Sequence, residues 1–594
     1  MHNTATEQDL VANDIFIGKL IYRYVFPSII AMLGMQSSGF INSMIIGHNL
    51  GSAGLSVISL VMPISLGYFS IGSLIGVGAS IISSIALGRG EKDRCAEVYT
   101  LSYIVAAGLG VILTVTGLLN LDRIVWFLGA DAAHFDYAYD YIRFCIMGGS
   151  AWLLIYIPLN YLRIIGKPKL AMTMLLLMSV LKIIGMGIFI NLLDMGTGGL
   201  ALSSVSSAAL AFVFGVSRLG GKNSPLKFKW PARAFAYISA VIPAGSPSAL
   251  NNICQAVKIF CVNLLFVRMG AGMYLPAYTL VNTVNDIVLA VILGISQTVL
   301  PLVGISFGEK DFRTIRIILK KALGLGNIII GLCAVCILLA HNTISLLFGL
   351  NDDTLRWHTG MGLIFFAASL NLAFINNMIA NYFSATRRVA IANIIVVSRL
   401  VLFMVLPAWL LFSMAGVYAV WISLIVTEAA TLGVTFLAIT MTHTRNPRLS
   451  RYLLLDSALV EHSAIIDFSV KNTTEDVDFA STKITDFCKE HDISMKNTMH
   501  ISLAIEEMII MINEHSLGKD KTEYTDVRLM VAPEHITMRI RSSGKYFNPV
   551  EYYYENKHTE AGLNQILGIA MILKMAQTVE YRETLGMNTL IITI

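Results

Sequence analysis

Between residues 24 and 440 long apolar stretches follow one another, and the charges that interrupt them fall mainly in every second gap. A spanning helix needs roughly 20 mostly apolar residues to cross about 30 Å of hydrocarbon. Twelve stretches meet that requirement, centred near residues 34, 67, 109, 152, 180, 207, 252, 291, 329, 371, 401 and 427. The gaps after the even-numbered stretches hold Arg89, Lys92 and Arg94, then Arg163, Lys167 and Lys169, then a basic run from Arg218 to Arg233. Lys310 to Lys321, Arg387 with Arg388, and Arg445 to Arg451 continue the series. The alternate gaps offer little beyond Arg123, Arg143, Arg268 and Arg356, beside acids such as Asp131, Asp136, Asp352 and Asp353. The positive-inside rule assigns the basic gaps, and both termini with them, to the cytoplasm. The expectation is a multi-pass protein of a bacterial plasma membrane, its spans in contact with the lipid bilayer.

After about residue 456 the pattern changes to alternating and amphipathic segments. Ile465–Val470 is strand-like, and Thr473–Glu490 and Ser494–His515 have helical spacing. Tyr524–Val531 and Ile536–Ile540 predict a hairpin with Pro533 in its turn. A helix over Gln565–Ala576 and two strands near Thr578–Arg582 and Asn588–Ile594, joined at Gly586, complete an α+β domain.

Composition sharpens this division. The chain of 594 residues is 55% hydrophobic and 14% charged, with mean hydropathy +0.69. Its net charge of +5 hides a split: residues 1–455 hold 30 basic against 17 acidic residues, and residues 456–594 hold 13 against 21. Loops beside anionic lipid account for the basic excess; no nucleic-acid footprint is left over. Glu7, Asp9 and Asp14, with no basic n-region, mark the first span as its own insertion signal. Cys333 and Cys336 lie in an apolar span without nearby His or Cys, which favours packing over metal or redox chemistry.

The string Gly-Glu-Lys-Asp occurs at Gly90–Asp93 and again at Gly308–Asp311, each time directly after a long apolar span. Six spans lie between the copies, so a duplication would give two halves of the same orientation around a central cavity. The expected divisions are a six-helix lobe over 1–217, a basic linker over 218–234, a second six-helix lobe over 235–455 and a cytoplasmic domain over 456–594.

The stretches Phe40–Gly51, Gly76–Arg94, Tyr161–Lys169, Gln297–Arg316 and Gly416–Glu428, with Pro27, Arg399 and Pro407, carry a resemblance to the multidrug and toxic-compound extrusion (MATE) transporters. The resemblance covers roughly residues 15–445. It implies an all-α fold of two six-helix lobes, alternating access, and export of small organic compounds driven by H⁺ or Na⁺. No cofactor and no enzymatic activity are implied for this half. Ionisable groups inside spans are functional candidates by default. They are Asp286, Lys182, Lys258 and Glu428, of which Asp286 is the leading site for a coupling ion. Its alternative is a fixed pair with Lys258, and Glu428 is weighted toward a structural pairing. Asn42 stands where many relatives carry an acid, and Lys182 and Met186 lie where they carry Asn and Asp. Asn42 and Gln36 can hydrogen-bond a substrate or join helices. Lysines facing the cavity would disfavour organic cations and admit anionic or zwitterionic compounds.

The tail stretches Ala504–His515, Ile540–Pro549 and Leu567–Thr593 resemble the GHKL-type (Bergerat) ATP-binding fold, in its anti-sigma-factor serine-kinase branch. That branch uses a Glu base, an Asn four residues later for Mg²⁺, an Asp-x-Gly for adenine and a Gly-rich lid. Here Glu507 fits the first role, Met511 takes the second, Ser542 and Gly544 the third, and Ile566 with Gly568 the lid. Met is a poor ligand for hard Mg²⁺, so the resemblance is to a degenerate site, with ATP·Mg²⁺ binding doubtful and a protein partner at the tail implied. Two other readings stay open: a lipid-linked or polysaccharide flippase, and a membrane-tethered ligand sensor that signals through the tail.

Overall fold

A computed structural model describes the backbone of residues 7–128, 135–220, 226–347, 352–456, 464–471, 473–517, 524–532, 535–557 and 563–594. Side chains are described for the same residues except 7–14, 38–60, 272, 474–475 and 563–567. Pro533 therefore lies outside the described residues. The chain forms two compact units, Arg23–Thr440 and a second made of Met1–Tyr22 with Met441–Ile594.

The first unit is helical. Among the described residues the chain has twelve segments long and apolar enough to span a membrane, from Ile15–Ser37 and Val61–Gly88 to Val389–Ala415 and Tyr418–Arg445. Each sequence-predicted centre falls inside one of them. The sixth span, Gly196–Leu219, buries small residues such as Gly198, Gly199, Ala201, Ser203 and Ala208, where Gly and Ser let backbones approach closely. The fifth and eleventh spans each contain a π-helical turn, over Gly187–Leu192 and Ser398–Leu402. Such turns rotate the following side chains and often mark functional positions.

Several helix ends share one hydrogen-bond pattern, four of them in the turns after the second, fourth, eighth and tenth spans. The amides of Glu91, Lys167, Asp311 and Arg388 each donate to a carbonyl five residues earlier, on Ala86, Leu162, Ser306 and Phe383. The residue before each donor, namely Gly90, Gly166, Lys310 and Arg387, has positive φ. This is the Schellman arrangement that closes a helix C-terminus. The four turns pair up at a register of 220 or 221 residues, Gly90 with Lys310 and Gly166 with Arg387. The four-letter repeat, offset by 218 residues, is thus out of structural register by two. Its first copy places Gly in the left-handed position and its second places Lys there.

The tail is a five-stranded antiparallel sheet in the order β1-β2-β3-β5-β4, with β1 Ala464–Lys471, β2 Tyr524–Val531, β3 Ile536–Ser542, β4 Thr578–Thr584 and β5 Met587–Thr593. Phe468, Val527, Ile540 and Leu590 stand directly opposite one another across four strands and are all buried. Helices Thr474–Glu490 and Met495–Ile512 supply the other side of that core, through Ile484, Ala504, Ile505 and Met508. The alternate face is charged: Asp467 pairs with the opposing Arg528 at 2.6 Å, and Asp526 with the opposing Arg541 at 2.7 Å. Opposite charges directly across a strand pair stabilise the register. Helix Pro549–Asn556 was not expected; Asn548 caps it by accepting from the amides of Val550 and Glu551.

Candidate functional site

The two lobes meet along a seam of glycines. A Cβ on Gly88 would collide with the Ile305 carbonyl oxygen and lie 3.0 Å from the Gly308 Cα. A Cβ on Gly308 would collide with the Ile85 carbonyl oxygen and lie 3.0 Å from the Gly88 Cα. Gly88 with Gly308 and Ile85 with Ile305 are each 220 residues apart, the register of the turns. The contact is therefore self-complementary, as at a two-fold axis between repeats. Farther along, a Cβ on Gly78 would sit 2.9 Å from the Gly245 nitrogen, and one on Gly294 2.7 Å from the Ile29 Cα.

Polar contacts follow the same seam. Arg163 donates from its guanidinium to Gln297 Oε1 at 3.0 Å, and Tyr24 donates its hydroxyl to the Arg163 carbonyl at 2.9 Å. Asn252 donates to Ser73 Oγ at 3.3 Å. Arg163, counted above among the loop cations, is only 3% exposed and belongs to the seam. The Gly88–Gly308 crossing and Arg163 lie near the helix ends that carry the basic loops, and Asn252 with Ser73 lies near mid-span.

In the second lobe the intramembrane charges gather. Glu428 of the twelfth span accepts from Arg399 Nε at 2.7 Å and from Asn376 Nδ2 at 2.7 Å, and is buried. Lys258 of the seventh span lies in electrostatic reach of Arg399, Asp286 and Glu428. Its placement follows from packing, since Cys254, one turn earlier, is buried against Val396 and Leu400 on either side of Arg399. Asp286 of the eighth span is half-buried. Among the described residues no ion pair joins it to Lys258, although the two lie in electrostatic reach of each other.

The first lobe differs. Lys182 is half-buried in the fifth span, within electrostatic reach of the buried Cys145, and has no ion-pair partner among the described residues. The sixth span, Gly196–Leu219, offers Ser203, Ser206 and Ser207 and no acid. Gln36 is half-buried in the first span. The side chain of Asn42 lies outside the described residues.

In the tail the positions matched to a nucleotide site make the following contacts within the protein. A Cβ on Gly568 would lie 2.8 Å from Glu507 Cδ, so the Glu507 carboxylate rests against that backbone. Met511 is buried in the hydrophobic core. Ser542 is fully buried; Asn588 Nδ2 donates to it at 3.4 Å, to Ser516 Oγ at 2.9 Å and to the Lys545 carbonyl at 2.7 Å. Gly544 packs against Ser516, where a Cβ would lie 2.7 Å from its carbonyl carbon. The side chain of Ile566 lies outside the described residues.

The sequence model of the MatE family matches residues 27–188 and 247–410, more than half of the chain. The chain belongs to the MatE family. Among MatE proteins it is similar to the Multidrug export protein MepA of Staphylococcus haemolyticus, at 27% identity over 337 residues, covering 56% of this chain and 74% of that protein. MepA of Staphylococcus aureus strain MRSA252 is 25% identical over 334 residues, covering 55% and 73%. Two solved structures share the MatE fold. The Vibrio cholerae MATE transporter VcmN in its bent form has a TM-score of 0.67 at 18% identity, covering 73% of this chain and 98% of that one. A MOP superfamily transporter from Pyrococcus furiosus, described as having a binding pocket of reverse polarity, has 0.67 at 20%, covering 75% and 100%. A second model, the histidine kinase-like ATPase domain, matches residues 470–594, so the MatE spans are fused to a domain of that kind.

Sequence reasoning named Asp286, Lys258, Lys182 and Glu428 but did not weigh Arg399, Asn376 or Gln297. Arg399 was readable as one more cation inside an apolar span. Asn376 and Gln297 carry no signal of their own, because a neutral amide in a span is as often helix packing as a ligand.

Proposed function

We propose that this MatE protein exports small organic compounds through a cavity between its lobes, as an antiporter driven by an H⁺ or Na⁺ gradient. The observation that carries the reading is the division of labour in the second lobe. Glu428 is held by Arg399 and Asn376, while Asp286 has no fixed ion pair among the described residues. A carboxylate in a span is costly unless it has a use, and Asp286 is the acid here able to gain and lose a cation or proton. The seam contacts at the basic-loop ends fit a state closed toward the cytoplasm, given the positive-inside orientation with both termini cytoplasmic. The names of the MepA relatives, multidrug export proteins, support organic compounds as cargo. Lys182, which has no ion pair among the described residues, shifts the expected range toward anionic and zwitterionic compounds. The divisions 1–217, 218–234, 235–455 and 456–594 are retained as functional parts.

The tail in this reading regulates transport or binds a cytoplasmic protein, and does not turn over ATP. The reading is supported by Met511 in the core, the Asn588–Ser516–Ser542 bonds and the contact of Glu507 with Gly568, at the positions that the resemblance matches to Mg²⁺, adenine and phosphate handling.

Two experiments test the proposal. In proteoliposomes, Asp286→Asn should reduce gradient-driven flux to background while insertion and folding stay normal; wild-type flux with unchanged ion dependence would overturn the assignment. The purified full-length protein should show no Mg²⁺-dependent ATP turnover. Turnover that disappears in Glu507→Gln would overturn the reading of the tail.

A further inference from the structure

The linker between the lobes is fixed to the third span. Leu226 is buried, and the Lys229 amide donates to Thr100 Oγ1 at 2.9 Å. Lys229 Nζ pairs with Asp93 at 2.9 Å, and Tyr237, at the start of the seventh span, donates to Glu97 Oε2 at 2.7 Å. The Phe228 ring lies 5.4 Å from that of Tyr99 and 5.9 Å from that of Tyr103. This segment nevertheless presents its largest apolar side chains outward: Phe228 is 69% exposed, Trp230 79% and Phe235 85%. Lys227 and Arg233 stand exposed among them.

We propose that residues 227–235 form a binding site for anionic phospholipid head groups. Trp and other aromatic rings favour the boundary between hydrocarbon and water, where the ring is buried and polar edges stay wet. Basic side chains at that depth attract anionic lipid. Of the acids packed nearest, Asp93 is paired by Lys229, while Glu97 is buried, accepts from Tyr237 and keeps its charge. Lys227 and Arg233 outnumber it and are both exposed, so the outward surplus is positive. Phe228 and Trp230 lie on the extended linker and Phe235 on the first turn of the seventh span, with Lys229 and Arg233 between them. A lipid leaflet receives such a scatter of rings and cations without a shaped groove. Because the segment joins the last helix of one lobe to the first helix of the other, a head group bound here tethers the interlobe connection to one leaflet while the lobes move.

The test uses the full-length protein in nanodiscs with equal mole fractions of brominated phosphatidylglycerol or brominated phosphatidylcholine. The Trp230 signal is taken as the fluorescence difference between wild type and Trp230→Phe. Phosphatidylglycerol should quench that signal more strongly, with roughly fivefold local enrichment for each unpaired cation. The double variant Lys227→Gln/Arg233→Gln should lose the excess and keep the quenching by phosphatidylcholine. Soluble glycerol phosphate should leave the quenching unchanged. Equal quenching by the two lipids, no quenching of Trp230, or displacement by glycerol phosphate would each overturn the proposal.

Discussion

The fifth span of the first lobe and its counterpart in the second each carry one cation inside the membrane, yet the two cations live in different surroundings. Arg399 meets a buried Glu428, itself held by Asn376, so its charge is balanced by hydrogen bonds of 2.7 Å. Lys182 lies within electrostatic reach of Cys145, beside a sixth span of serines and small residues, and has no acid paired to it among the described residues. One repeat uses its cation to lock three helices together; the other keeps a cation uncommitted. On the proposed function the two lobes divide the tasks, stability at Arg399 and ligand selection at Lys182, according to whether the neighbouring span offers a carboxylate.

Breaking the paired side should have the larger effect. Glu428→Leu leaves Arg399 buried without a counter-charge, and removal of one partner from a buried pair costs about 3–5 kcal/mol. A melting measurement in detergent should register that loss. The double variant Glu428→Leu/Arg399→Met should recover most of it, because an apolar pair of similar volume is close to neutral. If the double variant is as unstable as the single one, Arg399 is not the partner that matters.

On the unpaired side the effect should appear in selectivity and hardly in stability. Lys182→Met removes an ammonium without orphaning an acid, so the change in stability should stay within about 1 kcal/mol. Competition assays should show preference moving from anionic toward cationic compounds by roughly tenfold, the order expected when one unscreened charge is removed from a cavity. An unchanged profile with a lowered melting temperature would make Lys182 a structural residue and dissolve the contrast between the lobes.

The spans were legible because each is a single signal, an uninterrupted apolar run of sufficient length. The tail strands were legible through their alternation, as at Phe468, Val527 and Ile540 on one face and Asp467, Asp526 and Arg541 on the other. Helix Pro549–Asn556 escaped notice, although Asn548, Pro549 and Glu551 supply a cap, a first-turn proline and a first-turn acid. The site was less legible for a physical reason. Asn376 and Glu428 meet across 52 residues of chain, and nothing local to either position reports such a contact. The repeated Gly-Glu-Lys-Asp pointed toward the right pair of turns, but letters in common do not fix backbone register. The left-handed residues did.

The crossing of Gly88 and Gly308 has a consequence in the language of epistasis. Each glycine makes room for the same approach from opposite sides, so the two positions answer to one steric demand. A methyl group at either one would force the helices apart, at an overpacking cost of about 1–3 kcal/mol. Once they have parted, a methyl at the other finds space already open. The double variant Gly88→Ala/Gly308→Ala should therefore lose much less stability than the sum of its singles, a departure from additivity expected of residues in contact. In a lineage, loss of one glycine would release its twin from constraint, and the two would be kept or surrendered together.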